Sequence, residues 1–505
     1  MIQTNYNPDV LTCLANLSND EVFTPPNLVN QILDLLPNEL WSSKDVKFLD
    51  PVSKSGVFLR EIAKRLIIGL GKEIPDKQEC INHIFKNQLY GISITELTSF
   101  LSRRSVYCSK TANNKYSICD DFDTEQGNII FKRIEHSWQN GKCIFCKARQ
   151  EIYDRGNDLE TYAYQFIHID KPEKIFNMKF DVIIGNPPYQ LSDGGFDKSA
   201  SPIYHKFVEQ AIKLNPRFLT MIIPARWYSG GKGLDEFRSK MLRDNRIAEI
   251  HDFPETSDCF PGLNIRGGVC YFLWAKEHKG KCKIITYKSG NKGKAVERPL
   301  LEKGSDVFIR YNEAINILRK VQALGEVSFA KYVNSRKPFG LGTNFSNFTK
   351  QKSSKKNILL YRFGENGYIS RDQVERNHKW LNEYKVIVPK ASPGGDSYPH
   401  QVLSRPIMSP PNSCCTETYI VIGPFSSKKR AHNVMNYLIT KVVRFLILLI
   451  KNTQDVPQKV YSFVPAQNFD EFWTDDKLYK KYGITSEEIE FIESMVRPME
   501  LNNGQ

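Results

Sequence analysis

The chain has 505 residues, 41% hydrophobic and 25% charged, so it can bury a large core and divide into two or three globular domains. Its formal net charge of +14, with 12% aromatics, points to an anionic partner, nucleic acid ahead of an acidic protein or a membrane surface. Residues 1–17 lack the basic-then-apolar build of a secretion signal, and the most apolar run, residues 445–450, is too short to span a bilayer. A cytoplasmic protein is expected, with its 11 cysteines reduced.

The first patterned segment is residues 19–36. Thr24 suits an N-cap, Pro25 suits the first helical position, and Leu28, Val29, Ile32, Leu33, Leu35 and Leu36 then recur at helical spacing. Residues 46–59 read as a strand and a tight loop running into a helix that reaches residue 68. That is the first βα unit of a doubly wound sheet, whose strand ends line a ligand crevice. Residues 88–96 fit a second strand and residues 116–122 a third. An insertion spanning about residues 105–170 carries Cys143-Ile144-Phe145-Cys146 on a Gly-Lys turn. Such a pair binds structural zinc when two further ligands join it. Cys108 and Cys119 lie upstream, and His136 is an alternative ligand; incidental thiols or a redox pair are the other readings.

Residues 180–190 are the focus of the chain. Val182, Ile183 and Ile184 form a β-branched run suited to a parallel strand buried on both faces. Gly185 permits a sharp exit, and Pro187 and Pro188 stiffen the loop that follows. The loop offers the Asn186 side chain and the Pro187 carbonyl as acceptors, with the Tyr189 ring beside them. Acceptors for an exocyclic amine and a ring to stack on its base make a site for chemistry on an amino group.

Beyond it, helices at residues 203–214 and 234–242 alternate with a strand and turn at residues 218–227 and a strand at residues 247–253. The Gly/Lys/Ser-rich residues 279–294 read as a linker or a flexible hairpin tip. A helix is expected at residues 308–324, an apolar one at 431–450 and a short capped one at 485–495. Between them lie basic loops interleaved with aromatics, which suit a surface that follows phosphates and equally a solvated surface. Asp372 with Glu383-Tyr384-Lys385 is a nuclease-like pattern common by chance.

Four elements, Phe23-Thr24-Pro25-Pro26, Asp50-Pro51 through Gly56 to Leu59, Asn186-Pro187-Pro188-Tyr189, and Cys259-Phe260-Pro261, occur in this order. In motif and order, residues 19–275 resemble the γ-class N6-adenine DNA methyltransferases of restriction-modification systems. The resemblance implies a Rossmann-like doubly wound α/β sheet over residues 1–280, a linker at 281–300 and a mixed α+β target-recognition domain at 301–505. It implies S-adenosylmethionine as cofactor, double-stranded DNA as partner, and a separate restriction endonuclease or defence subunit as a further partner.

By the same resemblance Thr24 holds the methionine carboxylate, and Asp50, Pro51 and Gly56 form the cofactor loop. Glu96 is the nearest carboxylate for the ribose, because Ser93 stands where an acid is usual. Asp121 accepts from the cofactor's adenine amine and Phe122 packs on its ring, with Asp120 as an alternative. Asn186 and the Pro187 carbonyl accept from N6 of a flipped adenine held between Tyr189 and Phe260. Lys54 departs from the pattern, standing where a small residue is usual; it either pairs with the cofactor carboxylate or points to solvent. Two other readings stay open: an RNA or protein-glutamine methyltransferase, and a non-catalytic specificity subunit with a degenerate cofactor site.

Overall fold

The computed structural model describes residues 22–154, 160–191, 201–263, 265, 267–288, 290–334, 336–392, 399–451 and 454–501. The chain forms two compact units, Met1–Phe308 and Ile309–Gln505.

The first unit is built on a ten-stranded sheet. In chain order its strands are β1 (Phe48–Ser53), β2 (Leu89–Ser93) and β3 (Ile129–Ile130). A small hairpin off the sheet follows, β4 (Trp138–Gln139) and β5 (Lys142–Cys143). The sheet resumes with β6 (Val182–Gly185), and a second pair off the sheet is β7 (Gln190–Leu191) with β8 (Ser201–Pro202). Then come β9 (Phe218–Pro224), β10 (Ile247–Phe253), β11 (Val269–Ala275), β12 (Cys282–Lys288), β13 (Asn291–Lys292) and β14 (Val296–Arg298).

Across the sheet the order is β13-β12-β10-β11-β9-β6-β1-β2-β3, with β14 on β12. Strands β3, β2, β1, β6 and β9 are mutually parallel, and β11 runs antiparallel between β9 and β10. The chain therefore builds outward from β1 to β3, then returns to the other side of β1 and builds away from it. The carboxyl ends of β1 and β6 flank the reversal, where connections leave in opposite directions and open a crevice.

Alternation along the strands divides two apolar layers. Phe48, Val182 and Ile184 face one core, shared with α1 (Pro26–Leu33), α2 (Val57–Leu70), α3 (Lys77–Asn87) and α4 (Glu96–Tyr107). Leu49 and Ile183 face the other, which takes residues of the insertion, including α5 (Gln150–Tyr153), together with α6 (Tyr204–Lys213) and α7 (Asp235–Arg243). Strands buried on both faces explain why their sequences read as unbroken apolar runs rather than alternating ones.

Several expectations need correction. The linker at 281–300 is part of the sheet: Cys282–Lys288 pairs parallel with β10, and its glycines and lysines belong to the β12–β13 turn and an exposed edge. The unit boundary falls at residue 308. The third strand is Ile129–Ile130 and not residues 116–122, which form turns in which Ser117 Oγ accepts from the Cys119 amide and Asp120 accepts from Asn82 of α3. Thr24 does not cap α1; Pro25 occupies the N-cap and the Thr24 hydroxyl is engaged elsewhere.

The second unit is mixed α and β. It holds α8 (Asn312–Ala323), α9 (Lys428–Ile439), α10 (Lys441–Leu448), α11 (Asp475–Tyr482) and α12 (Ser486–Met495). One sheet joins β15 (Val333–Asn334), β18 (Tyr384–Pro389), β19 (Ile407–Ser409) and β21 (Tyr419–Phe425); another joins β16 (Ile358–Tyr361), β17 (Gly367–Ile369) and β20 (Ser413–Cys415). The single apolar helix expected at 431–450 is two. Thr440 is extended (ψ 149°), ends α9, and caps α10 by accepting from the Val443 amide. Lys385 of the nuclease-like pattern is buried and donates to the Trp380 and Glu383 carbonyls, so it serves the fold. Among the described residues no helix is long and apolar enough to cross a membrane.

Candidate active site

The two strand ends at the reversal bring Asp50, from β1, and Asn186, from the β6 exit, to one cleft. Thr24, Lys54 and Gly56 line it as well. Two glycines make the close approach workable. A Cβ on Gly185 would meet Val52 Cγ2 at 2.6 Å and Asp50 Oδ1 at 3.0 Å, so only glycine lets β6 leave this close to β1. Gly56 takes φ 74° at the N-cap of α2, and a Cβ there would lie 2.8 Å from the Ser102 carbonyl oxygen.

Asn186 is buried. Its Nδ2 donates to the Val22 carbonyl and to Thr24 Oγ1, both at 3.0 Å, while its Oδ1 has no partner. Both amide hydrogens are thereby committed, and the free acceptor is left buried. Lys54 Nζ donates to the same Val22 carbonyl at 3.2 Å and is buried in the cleft wall. It is not solvent-directed; it braces the Val22–Thr24 segment that holds Asn186. Pro187 and Pro188 are buried beside it. Tyr189 is buried too, its hydroxyl without a partner, and burial pushes that hydroxyl well above its ordinary value against a smaller lowering by Asn186. Tyr189 and Phe260 belong to the same apolar cluster, together with Ile184 and Cys259.

Asp50 is the main electrostatic feature. The Val52 amide donates to its Oδ1 at 3.1 Å. Burial nevertheless raises its carboxyl to about 7, against the lowering effects of that hydrogen bond, the Lys54 charge and Ser53. A carboxylate held at the edge of ionisation in a buried cleft favours a cationic guest. Ser93, at the carboxyl end of β2, is buried with its hydroxyl unpartnered.

Other expected residues lie elsewhere. Glu96 is exposed in the first turn of α4 and does not line the cleft. Asp121 is exposed and pairs with Lys86 at 2.9 Å, at the end of α3 that leads into the amino end of β2. Phe122 packs on Tyr107 at 5.2 Å, and Asp120 accepts from Asn82 of α3. This acidic turn therefore sits with α3, away from the strands' carboxyl ends. Phe131 is the aromatic residue that directly follows β3.

The four cysteines also separate. Cys143 and Cys146 gather with His136 and His168, so the alternative ligand His136 joins them and His168 was missed. Cys119 is buried in the α1–α4 core, and Cys108 is exposed in a left-handed conformation ending α4. Neither reaches the pair: Cys108 is fixed at the end of α4, and Cys119 packs in the core on the other face of the sheet from Cys143 and Cys146.

Comparison with known proteins adds the family. Residues 87–260 match the model of the Eco57I restriction-modification methylase. A protein of Mycoplasma pneumoniae described as an uncharacterized adenine-specific methylase is 40% identical over 339 residues, 62% of this chain and 80% of that protein. Among solved structures, the Type IIL restriction-modification enzyme MmeI in complex with DNA aligns with TM-score 0.45 at 13% identity, over 86% of this chain and 63% of that one. A nuclease-deletion mutant of the Type ISP enzyme LlaGI, with a DNA substrate mimic, aligns with TM-score 0.49 at 11% identity, over 89% and 46%. The chain thus spans less than two thirds of the length of those two proteins. With 40% identity across four fifths of the mycoplasmal protein, the chain belongs to the adenine-specific methylases of the restriction-modification type.

Proposed function

We propose that this chain transfers a methyl group from S-adenosylmethionine to N6 of an adenine extruded from double-stranded DNA. The observation that carries the reading is Asn186: both amide hydrogens are held by Val22 and Thr24, which leaves a buried, unpartnered Oδ1. A buried acceptor without a donor is costly unless a guest supplies one. An exocyclic amine is such a donor. Its two N–H groups suit Oδ1 and the Pro187 carbonyl, and accepting them draws the nitrogen lone pair out of conjugation, which makes the amine nucleophilic. Tyr189 and Phe260 supply apolar faces for the base once the loop admits it.

S-adenosylmethionine, when bound, supplies an electrophilic methyl on a sulfonium. The cleft fits such a guest: Asp50 gains from a nearby cation, Gly56 places the α2 N-terminus at the cleft wall, and the Ser93 hydroxyl is an uncommitted partner for a ribose. Lys54 takes no part in binding the cofactor carboxylate in this reading, being directed to Val22. The second unit supplies target recognition through its basic, aromatic-rich loops. A structural zinc ion in the insertion is a further part of the reading and rests on a separate ligand set.

The test is Asn186→Ala. Transfer of labelled methyl groups into DNA should fall by about a hundredfold or more, on the scale of removing one aligned hydrogen bond from a transition state. DNA affinity should stay within about twofold of the unmodified chain, because the substituted side chain is buried away from the phosphates. Wild-type transfer by this variant would refute the assignment. Modified-base sequencing of DNA from expressing cells should show N6-methyladenine in a fixed sequence context.

A further inference from the structure

The insertion between β3 and β6 carries a chemistry that methyl transfer does not use. The β4–β5 hairpin turns on Asn140 and Gly141, with φ of 51° and 71°, as an Asn-Gly pair favours. It delivers Cys143 into a tight loop. There the Lys147 amide donates to the Cys143 carbonyl at 3.0 Å, Lys147 takes φ 65°, and the Cys143 amide donates to the Ala148 carbonyl at 2.8 Å. Both thiols end up buried, and the Ala148 amide donates to Cys146 Sγ at 3.4 Å. Two imidazoles from outside the hairpin meet them. One ligand atom each from His136, Cys143, Cys146 and His168 lies within 4.8 Å of the other three.

The histidine tautomers are set from behind. His136 Nε2 is 2.7 Å from the Thr161 carbonyl oxygen, and His168 Nδ1 is 2.8 Å from the Tyr164 carbonyl oxygen. A carbonyl only accepts, so in the neutral rings those nitrogens carry the protons and the lone pairs sit on His136 Nδ1 and His168 Nε2. His136 Nδ1 is 3.4 Å from Cys146 Sγ; His168 Nε2 is buried with no partner. A ring whose remote N–H is anchored on a backbone carbonyl while its bare nitrogen faces inward is the arrangement of a metal-ligating histidine.

We propose that His136, Cys143, Cys146 and His168 bind one structural Zn²⁺ ion. Two thiolates and two imidazoles make a closed set that suits tetrahedral zinc and leaves no position for substrate. Bonds of about 2.0–2.3 Å put tetrahedral ligands about 3.5 Å apart. The Cys146–His136 pair already has that spacing, and the widest pair closes by about an ångström. Binding releases the two thiol protons.

The ion has structural work to do. The strands here are two residues long and α5 has four residues, too little to hold residues 136, 143, 146 and 168 together. The same segment reaches the sheet: Tyr164 and Phe166 pack on Phe207 of α6, with ring centroids 5.6 and 6.2 Å apart. Losing the ion therefore loosens one face of the core.

The full chain, purified under reducing, chelator-free conditions, should carry one zinc ion by elemental analysis. Cobalt-substituted protein should show tetrahedral ligand-field bands and thiolate charge transfer. Cys143→Ser and His168→Asn should lose the metal, whereas Cys108→Ser and Cys119→Ser should keep one equivalent. Near-zero metal after reconstitution, an octahedral cobalt spectrum, a Cys143–Cys146 disulfide in reduced preparations, or full metal in His168→Asn would each overturn the proposal. If a variant fails to fold, the cobalt spectrum of the unmodified chain decides.

Discussion

Asp50 is where the cleft's electrostatics can be read by titration. Its folded value of about 7 lies above its ordinary 3.8. Between those values the folded chain holds a proton that the unfolded chain has released, so stability falls as pH rises from about 4 to about 7 and then levels. The ceiling on this loss is about 4 kcal/mol, from a displacement of roughly three pKa units. Asp50→Asn keeps an acceptor for the Val52 amide but cannot ionise. It should match the unmodified chain in Tm near pH 4 and exceed it increasingly up to pH 8. Cofactor affinity should move the opposite way, rising with pH through 7 in the unmodified chain and staying flat in the variant; calorimetry at several pH values reads it. A Tm difference independent of pH would remove Asp50 from this role. The strand over Val182–Gly185 and its abrupt exit were legible because a β-branched run broken by Gly-Asn-Pro-Pro leaves few conformations. The Thr24–Asn186 bond was not, since 162 positions separate its partners. The place of Asp121 was illegible for a related reason: an exposed acid pairs with whichever cation the fold brings beside it, here Lys86 of α3.

Elements carry the next level of constraint, and Gly185 shows how. The parallel pairing of β1 with β6 sets Ile183 against Leu49, and two residues on, the chain must turn within reach of Asp50. The missing Cβ is what permits that turn, given Val52 Cγ2 at 2.6 Å and Asp50 Oδ1 at 3.0 Å. Gly185→Ala should cost about 1–3 kcal/mol as an overpacked site and should also displace Asp50. Chemical denaturation measures the first effect, and a change in the pH dependence of Tm measures the second; an alanine variant of unchanged stability would show that the strand ends can spread. Strands and helices buried on one or both faces were readable from their apolar periods, and β10 falls on the expected residues. Breaks set by a single cap were not: Thr440 stops a run whose apolar pattern continues unbroken through it. At residues 279–294 composition left a linker and a hairpin tip undivided, because glycines and lysines in an exposed hairpin have the same composition as a linker; the β12–β13 pairing makes it a hairpin.

At the scale of the whole molecule the positive charge has a definite location. Between Glu326 and Glu365 the chain has no acidic residue, while Lys331, Arg336, Lys337, Lys350, Lys352, Lys355, Lys356 and Arg362 fall inside that interval. Lys352 and Lys355 are exposed ahead of β16, Phe363 is exposed just after it, and Arg362 lies 4.4 Å over the Phe348 ring. A basic loop with an exposed aromatic beside it can neutralise phosphates and lay a ring against a groove. Neither lysine lies in the first unit, which holds the cleft, so their effect on DNA should be electrostatic and independent of sequence. Every cation that stops neutralising a phosphate lowers the slope of log affinity against log salt by about 0.9. Lys352→Ala with Lys355→Ala should therefore flatten that slope by about 2, and should weaken binding to cognate and unrelated duplexes alike. Stability should change by less than about 0.5 kcal/mol, as for surface substitutions away from packed features. Binding titrations between about 50 and 200 mM salt supply the slopes. An unchanged slope would place the phosphate path on another face of this unit, and loss confined to one DNA sequence would make these lysines readers of bases instead.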